Sequence, residues 1–145
     1  MQNDPRSRIL LLLQLLLKQT DEHHYATGAD ILRFWETHGI QTTRKNVYSD
    51  IQLLMDFGLD IICIKSTQNR YFIGSRLLEL PELKLLVDAV YASKFITARK
   101  SKVLIEKLGR FTSRYRQEEL DRKVLVSGRV KSQEEKILYS VDTLH

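Results

Sequence analysis

A single cysteine, Cys63, leaves this 145-residue chain without an internal disulfide and points to a reducing cytosol. One cysteine also argues against a zinc finger, which needs several ligands at set spacing. Long apolar runs are scarce. The richest, Ile9–Leu17 (ILLLLQLLL), is far shorter than the about 20 residues that span a bilayer. Arg6 and Arg8 precede it as in a signal peptide, but Lys18-Gln19-Thr20-Asp21-Glu22 follows, where cleavage would need small residues. The run therefore predicts a buried helix, with no membrane partner. There is no internal repeat, no low-complexity tract and no glycine-rich phosphate loop. No Ser/His/Asp or Cys/His set has an identifiable catalytic spacing. His23, His24, His38, His145 and Cys63 lack metal-ligand spacing. An enzyme, a cofactor and a metal are not expected. A large charge excess is missing too: 23 Lys+Arg against 18 Asp+Glu gives +5, which permits a polyanionic partner without demanding one.

What remains is 43% apolar and 28% charged, the composition of a soluble globular chain long enough for one ordinary domain or two small ones. Asp4 as N-cap and Pro5 at the first helical position open a helix to about Gln19. Leucine on nearly every side of it predicts cover on more than one face. After the polar stretch Thr20–Tyr25, Thr27 caps a second helix to about His38, with Ile31, Phe34 and Trp35 facing the core and Gly39 turning the chain. Thr43 caps a third through Phe57, closed by Gly58. Helix, short glycine turn, helix is the helix-turn-helix arrangement. Two β-prone runs follow, Asp60–Lys65 (DIICIK) and Arg70–Ile73 (RYFI), around the polar Ser66–Asn69. They predict a hairpin, which after a helix-turn-helix reads as a wing. Tyr71 and Phe72 alternate across its second strand, so one should face inward.

From Leu80 the period becomes helical again. Pro81 and Glu82 start a helix through about Phe95. Thr97 caps another to about Leu108, ended by Gly109, and Ser113–Asp121 continues as helix. Val124–Val126 reads as a short strand. Ser132-Gln133-Glu134-Glu135 forms a capping box for a last helix carrying Ile137, Val141 and Leu144 on one face.

At 100° per residue, Val47, Ile51 and Leu54 of the third helix lie within about 60° and make its core stripe. Opposite stand Lys45, Ser49, Gln52 and Asp56, while Thr42, Thr43, Arg44 and Asn46 crowd the N-terminal end. That end of a helix-turn-helix meets base edges, with Arg or Lys suited to guanine and Asn to adenine. Tyr48 flanks it, within reach of a phosphate. Lys65, Ser66, Gln68, Asn69 and Arg70 of the hairpin are candidates to grip the backbone. A solvated polar face has the same composition, and residues 1–75 hold eight cations and eight acids. The basic surplus lies further on, with eight cations and only Glu106 between Lys94 and Arg116. There Arg99, Lys100 and Lys102 are candidates to touch phosphates or an acidic partner domain.

The string Thr42–Ile51 (TTRKNVYSDI) resembles the recognition helix of WYL-domain transcriptional regulators. Leu80–Val90 (LPELKLLVDAV), Phe95–Thr97 with Lys100-Ser101, and Tyr139–His145 (YSVDTLH) resemble that family's linker. The resemblance implies DNA binding through an N-terminal winged helix and dimerisation through helical elements. It places any effector ligand on a C-terminal WYL domain that this chain does not contain. It departs at Ser49, where the family often carries Arg.

The sequence thus predicts a mostly α fold with a small β-hairpin wing. Residues 1–75 form a winged helix-turn-helix that reads double-stranded DNA, and residues 76–145 a helical linker that pairs two chains. The rival reading is a winged-helix protein-interaction scaffold, motivated by the neutral first half. RNA binding by the basic connector is a third.

Overall fold

The computed structural model describes residues 4–122. The expected strand at Val124–Val126, the capping box at Ser132–Glu135 and the final helix lie outside those residues. The chain divides into two compact units, one ending at Arg76 and the other beginning at Leu77. The described residues are mostly helical, with one small three-stranded antiparallel sheet.

The first unit runs α1 (Pro5–Gln19), β1 (Ala26–Thr27), α2 (Gly28–Thr37), α3 (Arg44–Asp56), β2 (Ile61–Ile64) and β3 (Arg70–Ile73). Local chemistry sets most of these limits. The Asp4 carboxylate accepts from the Arg6 amide at 2.9 Å, ahead of Pro5. Thr27 and Asp30 form a reciprocal capping box on α2. Burial pushes the Asp30 carboxyl up, but bonds from Thr27 and Arg33 outweigh it and hold it below the usual range. Gly39 (φ 80°) and Gly58 (φ 100°) take the left-handed backbone that ends α2 and α3.

Several expectations for this unit need correction. Thr43 occupies the N-cap position of α3, but its side chain caps nothing. The third helix stops at Asp56 rather than Phe57, and the first hairpin strand is Ile61–Ile64 rather than Asp60–Lys65. The Asp60 carboxylate instead receives the Ser75 amide and hydroxyl, both at 2.7 Å, just after β3. Those two bonds hold its pKa down. A further correction is β1 itself, a two-residue strand between what the sequence marks as polar chain and helix cap. It pairs with β3 (Ala26 with Tyr71, Thr27 with Arg70), giving the order β1-β3-β2. Two residues are too few for an alternating pattern to register.

The core of this unit joins Leu11, Leu12, Leu15 and Leu16 of α1 to Ile31 and Trp35 of α2. Val47, Ile51 and Leu54 of α3, Ile61, Tyr71 and Ile73 of the hairpin, Ala26 of β1 and Ile40 after α2 complete its buried part. Phe34, expected among the core residues, is only partly buried. Leucine all round α1 does not mean burial all round, because Leu10 is 65% exposed. Thr20 ties α1 to the sheet. Its buried hydroxyl donates to the Leu16 carbonyl at 2.6 Å and accepts from the Ile73 amide at 3.1 Å. Thr20→Val keeps the shape but strands that amide, so a loss of ~1–3 kcal/mol is expected. Urea unfolding measures it, and a change under about 0.5 kcal/mol would show that the amide is satisfied elsewhere.

The second unit contains α4 (Leu80–Ala92) and α5 (Ala98–Gly109), and residues 114–122 are also helical. Glu79 caps α4 through a box with Glu82. The helix ends at Ala92, short of the expected Phe95, whose ring is 99% exposed. Thr97 caps α5 by accepting from the Lys100 amide at 3.2 Å. Gly109 is the last residue of α5, buried against Gln117, rather than a turn beyond it. Leu83 and Val87 of α4 meet Ile105 and Leu120 in a small buried cluster.

Candidate nucleic-acid interface

The polar face of α3 follows from its apolar one. Val47, Ile51 and Leu54 anchor the helix in the core, which turns Arg44, Lys45, Tyr48, Ser49 and Gln52 to solvent. No acidic residue stands in its first turn and no side chain caps it. The positive end of the helix dipole therefore coincides with Arg44 and Lys45. The β2–β3 turn approaches from the side. Arg44, Val47 and Tyr48 share a cleft of about 190 Å³ with Ser66, Thr67, Gln68 and Asn69 of the turn, Tyr71 of β3, and Gly28 and Ala29 at the start of α2. Three chain segments far apart in sequence thus border one polar hollow.

The expected contact residues divide by what already holds them. Arg44, Lys45, Tyr48 and Lys65 are exposed, their side chains without a hydrogen bond or ion pair among the described residues. Asn46 is half-buried and donates its amide to the Thr42 hydroxyl, so the two steady each other. The Ser49 hydroxyl turns back to the Asn46 carbonyl at 3.2 Å, and Gln52 donates to Asp56 at 2.9 Å. In the turn, Ser66 donates to the Gln68 carbonyl at 2.6 Å, closing the loop. Asn69 bonds the hydroxyl of Tyr71. Burial pushes the Tyr71 phenol above its ordinary pKa, and the Asn69 bond works against that rise. Thr43 is exposed at the head of α3. Arg99, Lys100 and Lys102 lie on α5 of the second unit.

Two features of this face carry no signal in the sequence. Arg70 lies over the ring of Tyr25, 4.6 Å from its centroid, a cation–π contact made possible by the pairing of β1 with β3. The guanidinium remains exposed, but its position is set. Asp50 is buried in the opposite flank of α3. Its carboxylate takes two bonds from Arg8 of α1, Nε at 2.6 Å and Nη2 at 3.0 Å. Arg8 in turn lies 5.7 Å from the centroid of the Trp35 ring, and the Trp35 indole donates to the Arg8 carbonyl at 2.9 Å. One ion pair therefore fixes α3 against α1 and α2, and with it the aim of Arg44 and Lys45.

Among the described residues no three His, Cys, Asp or Glu side chains form a metal-binding group, and no helix is long and apolar enough to cross a membrane. Comparison of the chain with protein-family models, with curated proteins and with solved structures finds no match.

Proposed function

We propose that the first unit is a winged helix-turn-helix that reads duplex DNA, with α3 as the recognition helix and the β2–β3 hairpin as the wing. The supporting observation is the cleft itself, where the uncapped, basic N-terminal end of α3 and the tip of the hairpin stand side by side. In this reading Lys45 and Arg44 face guanine edges, and Asn46, steadied by Thr42, faces adenine. Tyr48, Lys65 and the pre-set Arg70 hold phosphates. The resemblance of Thr42–Ile51 and Leu80–Val90 to WYL-domain regulators leads to the same reading, and to a cytoplasmic transcription regulator acting as a dimer. Two copies would set their recognition helices in successive major grooves, about 34 Å apart.

Selection from random duplex DNA tests this, with Lys45→Ala beside the unaltered chain. The expected result is a two-fold symmetric motif, bound ~1–3 kcal/mol more weakly by Lys45→Ala if the lysine makes a bidentate base contact. Equal affinity of both chains for the selected site would remove Lys45 from the interface. The second reading, a winged-helix scaffold for another protein, draws on the charge balance of residues 1–75, eight cations to eight acids. It expects no salt-sensitive binding to duplex DNA even at low ionic strength.

A further inference from the structure

If the first unit reads DNA, its neutrality poses a physical problem. Attraction to the phosphate backbone supplies essentially all sequence-independent affinity, and it needs cations. The whole surplus of the chain lies outside residues 1–75, where fifteen Lys+Arg face ten Asp+Glu.

The densest part of that surplus is ordered on one helix. At 100° per residue, Arg99, Lys100, Lys107 and Arg110 fall inside an arc of about 100° on α5 and its cap. The centre of that arc lies opposite Ser101, Ile105 and Gly109, the three residues that α5 buries. All four cations are exposed. Val103 shares the arc and Glu106, the one acid of the helix, stands at its edge. Among the described residues Arg99, Lys100 and Lys107 have no acidic partner. Lys107 lies seven residues beyond Lys100, about 10 Å further along the axis.

Helix stability accounts for Lys107, which stands in the last turn, but not for Arg99 and Lys100. A helix favours acids in its first turn, and α4 follows that rule with Glu82. The first turn of α5 has none and carries Arg99 and Lys100, set against their own helix dipole. At Arg99 and Lys100 the dipole and the side chains thus add to one positive field, and Lys107 extends the charge along the same face. Such a field suits a long, evenly charged polyanion better than it suits a compact fold of its own.

We infer that the Arg99–Lys100–Lys107 stripe of α5 is a second DNA contact, made to backbone phosphates without regard to sequence. It supplies the electrostatic attraction that the neutral first unit lacks. The inference rests on the DNA-reading role proposed above.

The test is a salt titration of the full chain on random-sequence duplex DNA. The neutral variant is Arg99→Gln/Lys100→Gln/Lys107→Gln, and the charge-keeping variant is Arg99→Lys/Lys100→Arg/Lys107→Arg. All three side chains are exposed, and circular dichroism checks that the helices remain. Each lost phosphate contact flattens the plot of log K against log salt by about 0.9, so the neutral variant should lose up to about 2.7 of slope. The charge-keeping variant should keep it. An unchanged slope in the neutral variant, with motif selection intact, overturns this inference alone and gives the stripe to an acidic protein surface. Absence of salt-sensitive binding by the unaltered chain overturns the DNA-reading role and this inference with it.

Discussion

Replacing Asp50 with alanine is expected to destabilise the first unit by ~3–5 kcal/mol, because it leaves the Arg8 guanidinium partly buried without its counter-charge. The Asp50 side chain is 4% exposed and that of Arg8 13%, so water screens the pair weakly. For a small domain such a loss is a large share of the whole stability. Arg8 also touches the ring of Trp35, the only tryptophan in the chain, so indole fluorescence reports the unfolding directly. Urea titration followed at that wavelength measures the loss. A fall of less than about 1 kcal/mol would mean that the pair is solvated in solution. Replacing both partners with apolar residues, Arg8→Met with Asp50→Leu, should recover most of the stability, since neither charge is then left buried alone. The ion pair would thereby be shown to fix the placement of α3 more than to hold the fold together.

Leu83→Ala is expected to cost the second unit ~2–5 kcal/mol. Leu83 is fully buried, and the cluster around it has Val87, Ile105 and Leu120 as its buried members among the described residues. A Leu-to-Ala truncation removes apolar contact and leaves a cavity that two packed helices close only partly. The first unit builds a larger cluster from three helices and the hairpin, so the same truncation takes a greater share of the cohesion available here. Thermal unfolding followed by far-ultraviolet circular dichroism should show helical signal lost at lower temperature. An unchanged profile would mean that α4 is held by contacts other than this cluster.

Most limits of the helices were legible because they depend on residues a few positions apart. Asp4 with Pro5, Thr27 with Asp30, and the glycines at 39 and 58 each act on their own turn of chain. The stripe Val47, Ile51 and Leu54 could be placed on the core side for the same reason, since helical period alone relates them. The exposed face that carries Arg44, Lys45 and Tyr48 followed by geometry. Thr43 shows where this kind of reading fails: its residue type suits a cap, but its side-chain rotamer is set by surroundings the string does not contain.

The sequence by itself determined the helices, the caps at Asp4, Thr27 and Thr97, and which face of α3 points outward, because these obey local propensity and a fixed period. Only the tertiary structure decided that Asp50 belongs to Arg8, 42 positions away, that Thr20 holds Ile73, and that Tyr25 supports Arg70 beside the two-residue strand β1. Contacts between distant residues leave no period in the string, and a polar residue that will be buried with a partner looks the same in it as one left in water.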